Sequence, residues 1–220
     1  KTMAETAKEA GVMIIAGDTK VVEGKGELFI NTAGIGIIPP GREIHAPACE
    51  EGDVILLSGT LGDHHACILG ARMEIQNPIQ SDCACLSDIT DALLQNGIRV
   101  KAMRDVTRGG LATILNEFSK SAGLSIEIEE ESVPVSEPVR GFCDLLGLEP
   151  FYMANEGKLI AVVSPEDAVQ ALEWMRLTEN GRNAAIIGSF SKGEWVTVRT
   201  ALGSTRVLDV LYGEGLPRIC

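Results

Sequence analysis

The sequence has no long hydrophobic run. Its longest apolar stretches, GVMIIAG at 11–17 and GIGIIPP at 34–40, are far shorter than the roughly 20 residues that a helix needs to cross a bilayer. No leader with positive charges before an apolar stretch begins the chain. We therefore expect a soluble, cytoplasmic protein.

The sequence also has no cluster of Lys and Arg interleaved with aromatic residues. Its formal net charge of −12 at pH 7 would repel a phosphate backbone. Nucleic acid is therefore not an expected partner.

Cysteine is sparse: the six cysteines, at positions 49, 67, 83, 85, 143 and 220, lack the dense spacing of a secreted disulfide scaffold. We expect reduced thiols. Cys83 and Cys85 lie one residue apart, but no second Cys or His pair follows at zinc-site spacing. We interpret both as ordinary small apolar residues, with a metal site as the alternative.

The chain does have a globular composition, with 45% apolar residues in 220. Helical spacing of its apolar residues predicts a helix over 2–10, and VMIIA at 12–16 has the character of a buried strand. The segment 39–53 is typical of a connection between domains. ELFINTAGIGIIP, at 27–39, is predicted to be extended.

The remainder alternates between the two kinds of pattern. Helices are predicted over 60–72, 86–97, 106–123 and 164–175, and strands over 53–59, 124–130, 158–163, 184–190, 194–200 and 204–211. In the third helix a stripe is spaced to face the core: Leu111, Ile114, Leu115, Phe118 and Ala122. Ser164 is the expected N-cap of the fourth, with Pro165 at its first position. The alternation predicts a layered α/β or α+β fold.

The segment IIAGDTKVV places Gly17, Asp18, Thr19 and Lys20 at the end of a predicted strand, where open α/β layers present ligand groups. Mg²⁺ takes one or two carboxylates and completes its shell with phosphate oxygens and water. A magnesium and phosphate site is therefore one interpretation, and a polar turn is the other.

Two glycine-bearing segments precede predicted helices. LLSGTLGDHHA lets the backbone approach an anion, although no Gly-Lys-Ser/Thr ends it as in a Walker A motif. His64 and His65 are interpreted as helix-surface residues, with acid–base or metal roles as alternatives. AMRDVTRGGLA suits polyphosphate with Mg²⁺, and a salt-bridged helix cap is the alternative. Its polar and glycine positions are Arg104, Asp105, Thr107, Arg108, Gly109 and Gly110.

Two further positions carry candidate chemistry. YMANEGKLIAVV places Asn155 and Glu156 before Gly157 and a strand, where either an exposed turn or a general base explains them. Cys220 ends the chain, and eight residue steps from Tyr212 at about 3.3–3.6 Å each let its thiol reach on the order of 25 Å. Its thiolate is a competent nucleophile, disfavoured by the α-carboxylate and favoured by Arg218.

Together these motifs resemble a known family. The chain is similar to the hydrogenase maturation factors of the HypE family in seven segments: GDTKVV, SGTLGDH, MRDVTRGGLA, NEF, LLGL, ANEGKL and the closing PRIC. That family lies within the superfamily of aminoimidazole ribonucleotide synthetase and selenophosphate synthetase. The resemblance runs from Met3 to Cys220, and the combination with a C-terminal PRIC is specific to HypE.

The resemblance implies an aminoimidazole ribonucleotide synthetase-like fold in three parts. Residues 1–40 would be the end of an N-terminal domain for ATP binding and dimerisation, 41–211 a C-terminal α/β sandwich domain, and 212–220 a flexible tail. Most of the family's N-terminal domain is absent, so we expect the 220-residue chain alone to turn over little or no ATP. A homodimer is expected of the full-length protein.

The resemblance also implies a reaction. A HypF-like carbamoyltransferase loads the C-terminal cysteine, ATP phosphorylates the carboxamide oxygen, and loss of phosphate leaves a thiocyanate. Its cyano group passes to iron on a HypC–HypD-like scaffold and becomes a ligand of [NiFe] hydrogenase.

The matching motifs imply that Asp18 and Asp105 bind Mg²⁺ and the phosphates. Lys20 and Glu156 would act at the modified tail. His64 and Asn155 would be auxiliary polar groups. The remaining nucleotide-binding positions would be Thr19, Thr107, Arg108, Gly109 and Gly110. The family's GDHG is GDHH here, so His65 replaces a glycine. The alternatives are a selenophosphate synthetase or thiamine-phosphate kinase relative, and a non-catalytic carrier that offers Cys220 to a metallocentre scaffold.

Overall fold

The computed structural model describes residues 1–23 and 28–211. The tail that bears Cys220 therefore lies outside the described residues. The chain divides into two compact units, Lys1–Glu43 and Ile44–Cys220. None of the described helices is long and apolar enough to cross a membrane.

The first unit contains one helix, α1 (Thr2–Glu9), which ends at Ala10 before the left-handed Gly11. The prediction of a buried strand over 12–16 is wrong: these residues are irregular, and Met13 and Ile15 are 86% and 85% exposed. A strand needs a neighbour to pair its backbone groups. The described residues of this unit form no strand, so the apolar run has neither partner nor cover.

The second unit is built around one mixed sheet. Its strands are β1 (Val54–Leu57), β2 (Val100–Asp105), β3 (Ser125–Glu129), β4 (Leu159–Val163), β5 (Ala185–Ser191), β6 (Val196–Arg199) and β7 (Thr205–Val207). Their spatial order is β2-β4-β1-β5-β3-β6-β7, and all described neighbours pair antiparallel except β3 and β6. The predicted α/β layering is confirmed.

Helices cover both faces of this sheet. They are α2 (Asp63–Arg72), α3 (Ser87–Gln95), α4 (Gly110–Ala122), α5 (Glu137–Leu146) and α6 (Ala168–Leu177). Ile55 and Leu57 point to the core beneath α4, whereas Leu56 points to the core shared with α3 and α6. This alternation follows from the two-residue period of a strand. A smaller cluster joins α2 to α5.

The structure refines the predicted helix limits. The α4 stripe is confirmed, because its four large apolar residues are buried and Ala122 is half-buried. The helix begins at Gly110 rather than at 106, since Gly109 and Gly110 hold left-handed backbone. Ser164 occupies the N-cap position of a short 3-10 turn over Pro165–Asp167 but makes no side-chain capping hydrogen bond, and the α-helix proper starts at Ala168.

Candidate active site

Three of the motif segments meet at one end of the sheet. β4 runs antiparallel to β1 and β2, so its first residues lie beside the last residues of both, with Leu57 opposite Ile160 and Asp105 opposite Leu159. Backbone hydrogen bonds continue the pairing beyond the strands: Val106 N donates to Lys158 O at 2.8 Å, and Ser58 N donates to Leu159 O at 3.0 Å. The loops after β1 and β2 and the turn before β4 are therefore held together.

Asn155 joins these three segments. Its Oδ1 accepts a hydrogen bond from Gly62 N at 2.8 Å, and its Nδ2 donates to the carbonyls of Val106 and Met153 at 3.0 and 3.1 Å. The side chain is fully buried, so the exposed-turn interpretation is wrong for this residue. Because backbone groups occupy both ends of its amide, Asn155 positions the loops around its neighbour Glu156.

The loop over 81–84 packs against the turn that carries Glu156. Asp82 Oδ1 accepts a hydrogen bond from Glu156 N at 3.0 Å, and Asp82 Oδ2 forms an ion pair with Lys158 Nζ at 2.9 Å. The Asp82 and Lys158 side chains are only 5% and 11% exposed. A Cβ added at Gly157 would lie 1.8 Å from the Asp82 carbonyl oxygen, so only glycine permits this approach. Neither Asp82 nor Lys158 is among the site residues predicted from the sequence.

The junction between β2 and α4 exposes polar groups beside the backbone of Gly109. Asp105 and Arg108 are exposed, and Thr107 O accepts a hydrogen bond from Gly110 N. Arg104 pairs with Glu117 of α4, as the salt-bridge interpretation expects. An exposed carboxylate beside two glycines fits the coordination that Mg²⁺ takes from one carboxylate and phosphate oxygens. No three His, Cys, Asp or Glu of the described ranges cluster as a metal site of their own.

Gly110 tolerates no side chain. Its φ is +65°, and an added Cβ would lie 2.5 Å from the Phe151 carbonyl oxygen. We expect Gly110→Ala to lower the free energy of unfolding by about 2–5 kcal/mol, combining left-handed strain with backbone overlap. Gly123→Ala is the matched control, because φ there is +68° but nothing lies within 4 Å of the added Cβ. Urea unfolding measures both, and equal losses would contradict the overlap argument.

His64 and His65 are not on the helix surface, so that interpretation is wrong. They are 8% and 2% exposed, and they contact Ser81 and Ala154 respectively. His64 Nδ1 lies 2.8 Å from Ser81 Oγ. His65 Nδ1 accepts a hydrogen bond from Ala154 N at 3.3 Å, which leaves its proton on Nε2, and that buried atom has no partner among the described residues.

The burial of His65 predicts loss of stability in mild acid. Burial chiefly, then the charges of His64 and Arg72, lower the pKa of His65 from 6.5 to about 4. His65 therefore binds a proton more readily in the unfolded chain than in the folded one. Its contribution to the free energy of unfolding is complete above pH 6.5 and is lost as pH falls towards 4. We expect about 3 kcal/mol less stability at pH 4 from this residue.

The measurement is the free energy of unfolding between pH 7 and 4. His65→Gln should flatten its pH dependence relative to the parent chain. An unchanged slope in His65→Gln would contradict the assignment.

The remaining predicted site residues that the structure describes belong to the first unit. In the first unit Asp18 Oδ1 accepts a hydrogen bond from Thr19 N at 2.8 Å, and Lys20 Nζ lies 3.7 Å from Asp18 Oδ2. These side chains are exposed, and their convergence with Glu156 stays a prediction. The five described cysteines are free, as expected. Cys83 is exposed and Cys85 is half-buried.

The second unit matches a known family of domains. Residues 50–200 match the family of AIR synthase related proteins, C-terminal domain, which defines the class of the second unit. The carbamoyl dehydratase HypE of Rhodobacter capsulatus is 45% identical over 226 residues, covering 100% of this chain and 66% of that protein. The chain belongs to the HypE family of hydrogenase maturation proteins.

Solved HypE structures have the same fold. HypE in its complex with HypF superposes with a TM-score of 0.86 at 40% identity, covering 96% of this chain and 70% of that one. HypE in complex with ATP gives a TM-score of 0.88 at 37% identity, covering 100% and 68%. The chain thus spans about two thirds of the length of the relatives it matches.

Proposed function

We propose that this chain belongs to an enzyme that dehydrates its own S-carbamoylated Cys220 to a thiocyanate at the expense of ATP. The observation that carries the proposal is the meeting of the three motif loops around Glu156, in a chain of the HypE family. A relative named carbamoyl dehydratase and a HypE structure with ATP support the reaction class.

The chemistry requires activation of a poor leaving group. The carboxamide oxygen on Cys220 attacks the γ-phosphorus of ATP, and ADP leaves. The nitrogen then gives up its protons, the C–O bond breaks and phosphate departs, leaving S–C≡N. The net change is carboxamide plus ATP to thiocyanate, ADP, phosphate and one proton, with no change of oxidation state.

Glu156 is the proposed base for the nitrogen protons. Asp82 fixes its backbone N–H, and the neighbouring Asn155 ties its turn to the loops that follow β1 and β2. A base held within hydrogen-bond reach of the nitrogen contributes through its orientation as well as its basicity. Lys20 is the proposed cation for charge on the transferring phosphoryl group and the amide oxygen. His64 and Asn155 act on neighbouring groups, not on the reacting atoms.

Asp105 and Asp18 are the proposed carboxylates for magnesium and the phosphates. Thr19, Thr107, Arg108, Gly109 and Gly110 would complete the nucleotide contacts. Magnesium, when bound, would neutralise charge between the phosphates. The exposed Asp105 and the exposed Gly109 support this part of the proposal.

The proposed partners follow from the same reaction. A HypF-like carbamoyltransferase would load Cys220, and the structure of a HypE–HypF complex supports that contact. A HypC–HypD-like iron scaffold would receive the cyano group for a [NiFe] hydrogenase. We place the full-length protein in the cytoplasm as a homodimer.

Intact-mass measurement tests the proposal. The full-length protein is loaded by the carbamoyltransferase with carbamoyl phosphate and weighed before and after Mg-ATP. We expect a gain of one carbamoyl group on Cys220, then loss of one water. A carbamoyl adduct that persists with ATP bound would favour the carrier alternative.

A further inference from the structure

A cleft of about 340 Å³ opens beside the Asp82 loop, at the same end of the sheet. Its charged lining consists of Lys158, Arg182, Glu179 and Asp82, and its polar lining includes Thr60, Ser81, Asn180 and Asn183. Cys83 also lines it and is exposed. A small molecule that enters this cleft therefore meets a thiol.

The surroundings of Cys83 differ from those of an ordinary surface cysteine. Ser81 Oγ lies 3.1 Å from Cys83 Sγ, within hydrogen-bond distance, and His64 Nδ1 lies 3.8 Å from the same sulfur. His64 Nδ1 also lies 2.8 Å from Ser81 Oγ. The three groups form a triangle. In the tautomer with its proton on Nε2, His64 Nδ1 accepts a proton from the thiol directly, or the Ser81 hydroxyl turns to donate to Nδ1 and takes the thiol hydrogen in exchange. An imidazole within reach of a thiol is the arrangement that activates a sulfur nucleophile.

Among the described cysteines, Cys49, Cys143 and Cys85 have different surroundings. Burial, with the charge of Asp53 in second place, raises the pKa of Cys49 to about 12, and burial, with that of Asp144, raises the pKa of Cys143 to about 11. Their thiols stay protonated and enclosed. Cys85 is half-buried and lies 3.1 Å from Ser87 Oγ. Cys83, by contrast, is exposed and has both a hydroxyl and an imidazole beside its sulfur.

We propose that Cys83 is a nucleophilic thiol site that accepts a cyano group from a thiocyanate, with His64 as its base. His64 takes the proton from Cys83, and the sulfur attacks the thiocyanate carbon. A new S–C bond forms, the original S–C bond breaks, and the departing thiolate takes the proton from His64. Atoms and electrons balance without an oxidant. The choice of a thiocyanate rests on the proposed function, whereas the nucleophilicity of the thiol does not.

The test uses 2-nitro-5-thiocyanatobenzoate on the 220-residue chain, without ATP or partner proteins. Absorbance follows the released aryl thiolate, and peptide mass assigns the cyano group to each cysteine. Cys85 serves as the internal control, because it lies in the same loop without the imidazole. We expect Cys83 to react about tenfold faster than Cys85.

Two variants separate activation from simple exposure. His64→Gln and Ser81→Ala should each slow cyanylation of Cys83 by about tenfold and leave the rate at Cys85 unchanged. Ser81 is exposed, so its variant keeps the test valid even if His64→Gln fails to fold. Equal rates at Cys83 and Cys85, or a Cys83 rate that Ser81→Ala does not lower, would overturn the proposal. Failure of the dehydration reaction would leave these rates as they are.

Discussion

Replacement of Glu156 by Gln is expected to lower the rate of thiocyanate formation by about 10³-fold. The amide keeps the size and hydrogen-bonding reach of the carboxylate but takes up no proton, and positioned bases contribute about 10²–10⁴. The Asp82 contact goes to the backbone N–H of residue 156, so the variant retains it. Loading of Cys220 and binding of ATP should be unaffected.

Single-turnover mass measurement on the carbamoylated full-length protein gives this rate. Glu131→Gln is the control, because it makes the same change at an exposed acid. A Glu156→Gln rate within about threefold of the parent would exclude Glu156 as the base. A loss equal to that of Glu131→Gln would lead to the same conclusion.

Replacement of Asp82 by Asn is expected to lower the free energy of unfolding by about 3 kcal/mol. The Asn oxygen still accepts a hydrogen bond from Glu156 N, but Lys158 Nζ is left nearly buried without a counter-charge. Removing one member of a buried ion pair costs about 3–5 kcal/mol. We expect the lower value because Lys158 lines the adjoining cleft, where water can solvate its ammonium group. The turn that carries Glu156 loosens as a result.

A double-mutant cycle measured by urea unfolding separates the energy of the Asp82–Lys158 interaction from the effects of each substitution on other neighbours. Adding Lys158→Met to Asp82→Asn should recover part of the loss, because no unpaired charge remains. Glu166→Gln breaks an exposed contact with Arg99 and should cost less than about 1 kcal/mol. If Asp82→Asn costs no more than Glu166→Gln, the pair does not stabilise the loop.

Local patterns were sufficient for most elements of the second unit. The apolar stripe of α4, the alternation of β3 and the apolar run of β4 each predict which residues are buried from a few neighbouring positions. The structure has all three elements. The same reasoning failed over 12–16, where an apolar run meets no neighbouring strand among the described residues. Pairing depends on a partner that a single segment does not reveal. The sequence patterns also do not predict α5.

The site was predictable only in its motif residues. The glycine-bearing loops and the carboxylates of Asp105 and Glu156 stand out in the sequence because they lie next to strands. The sheet brings the segment that carries Asp105 beside the turn that carries Glu156. Asp82 and Lys158 are separated by 76 positions, so no local pattern pairs them. The burial of His64 and Asn155 likewise depends on loops that pack across the sheet end.

The central claim is that the carboxamide oxygen leaves as part of phosphate. Carbamoyl phosphate labelled with ¹⁸O in its carbonyl group would load the label onto Cys220 of the full-length protein. After Mg-ATP is added, mass spectrometry of the inorganic phosphate follows the label. We predict one ¹⁸O in each phosphate released with thiocyanate; unlabelled phosphate, with the label in water or still on the protein, would contradict the account.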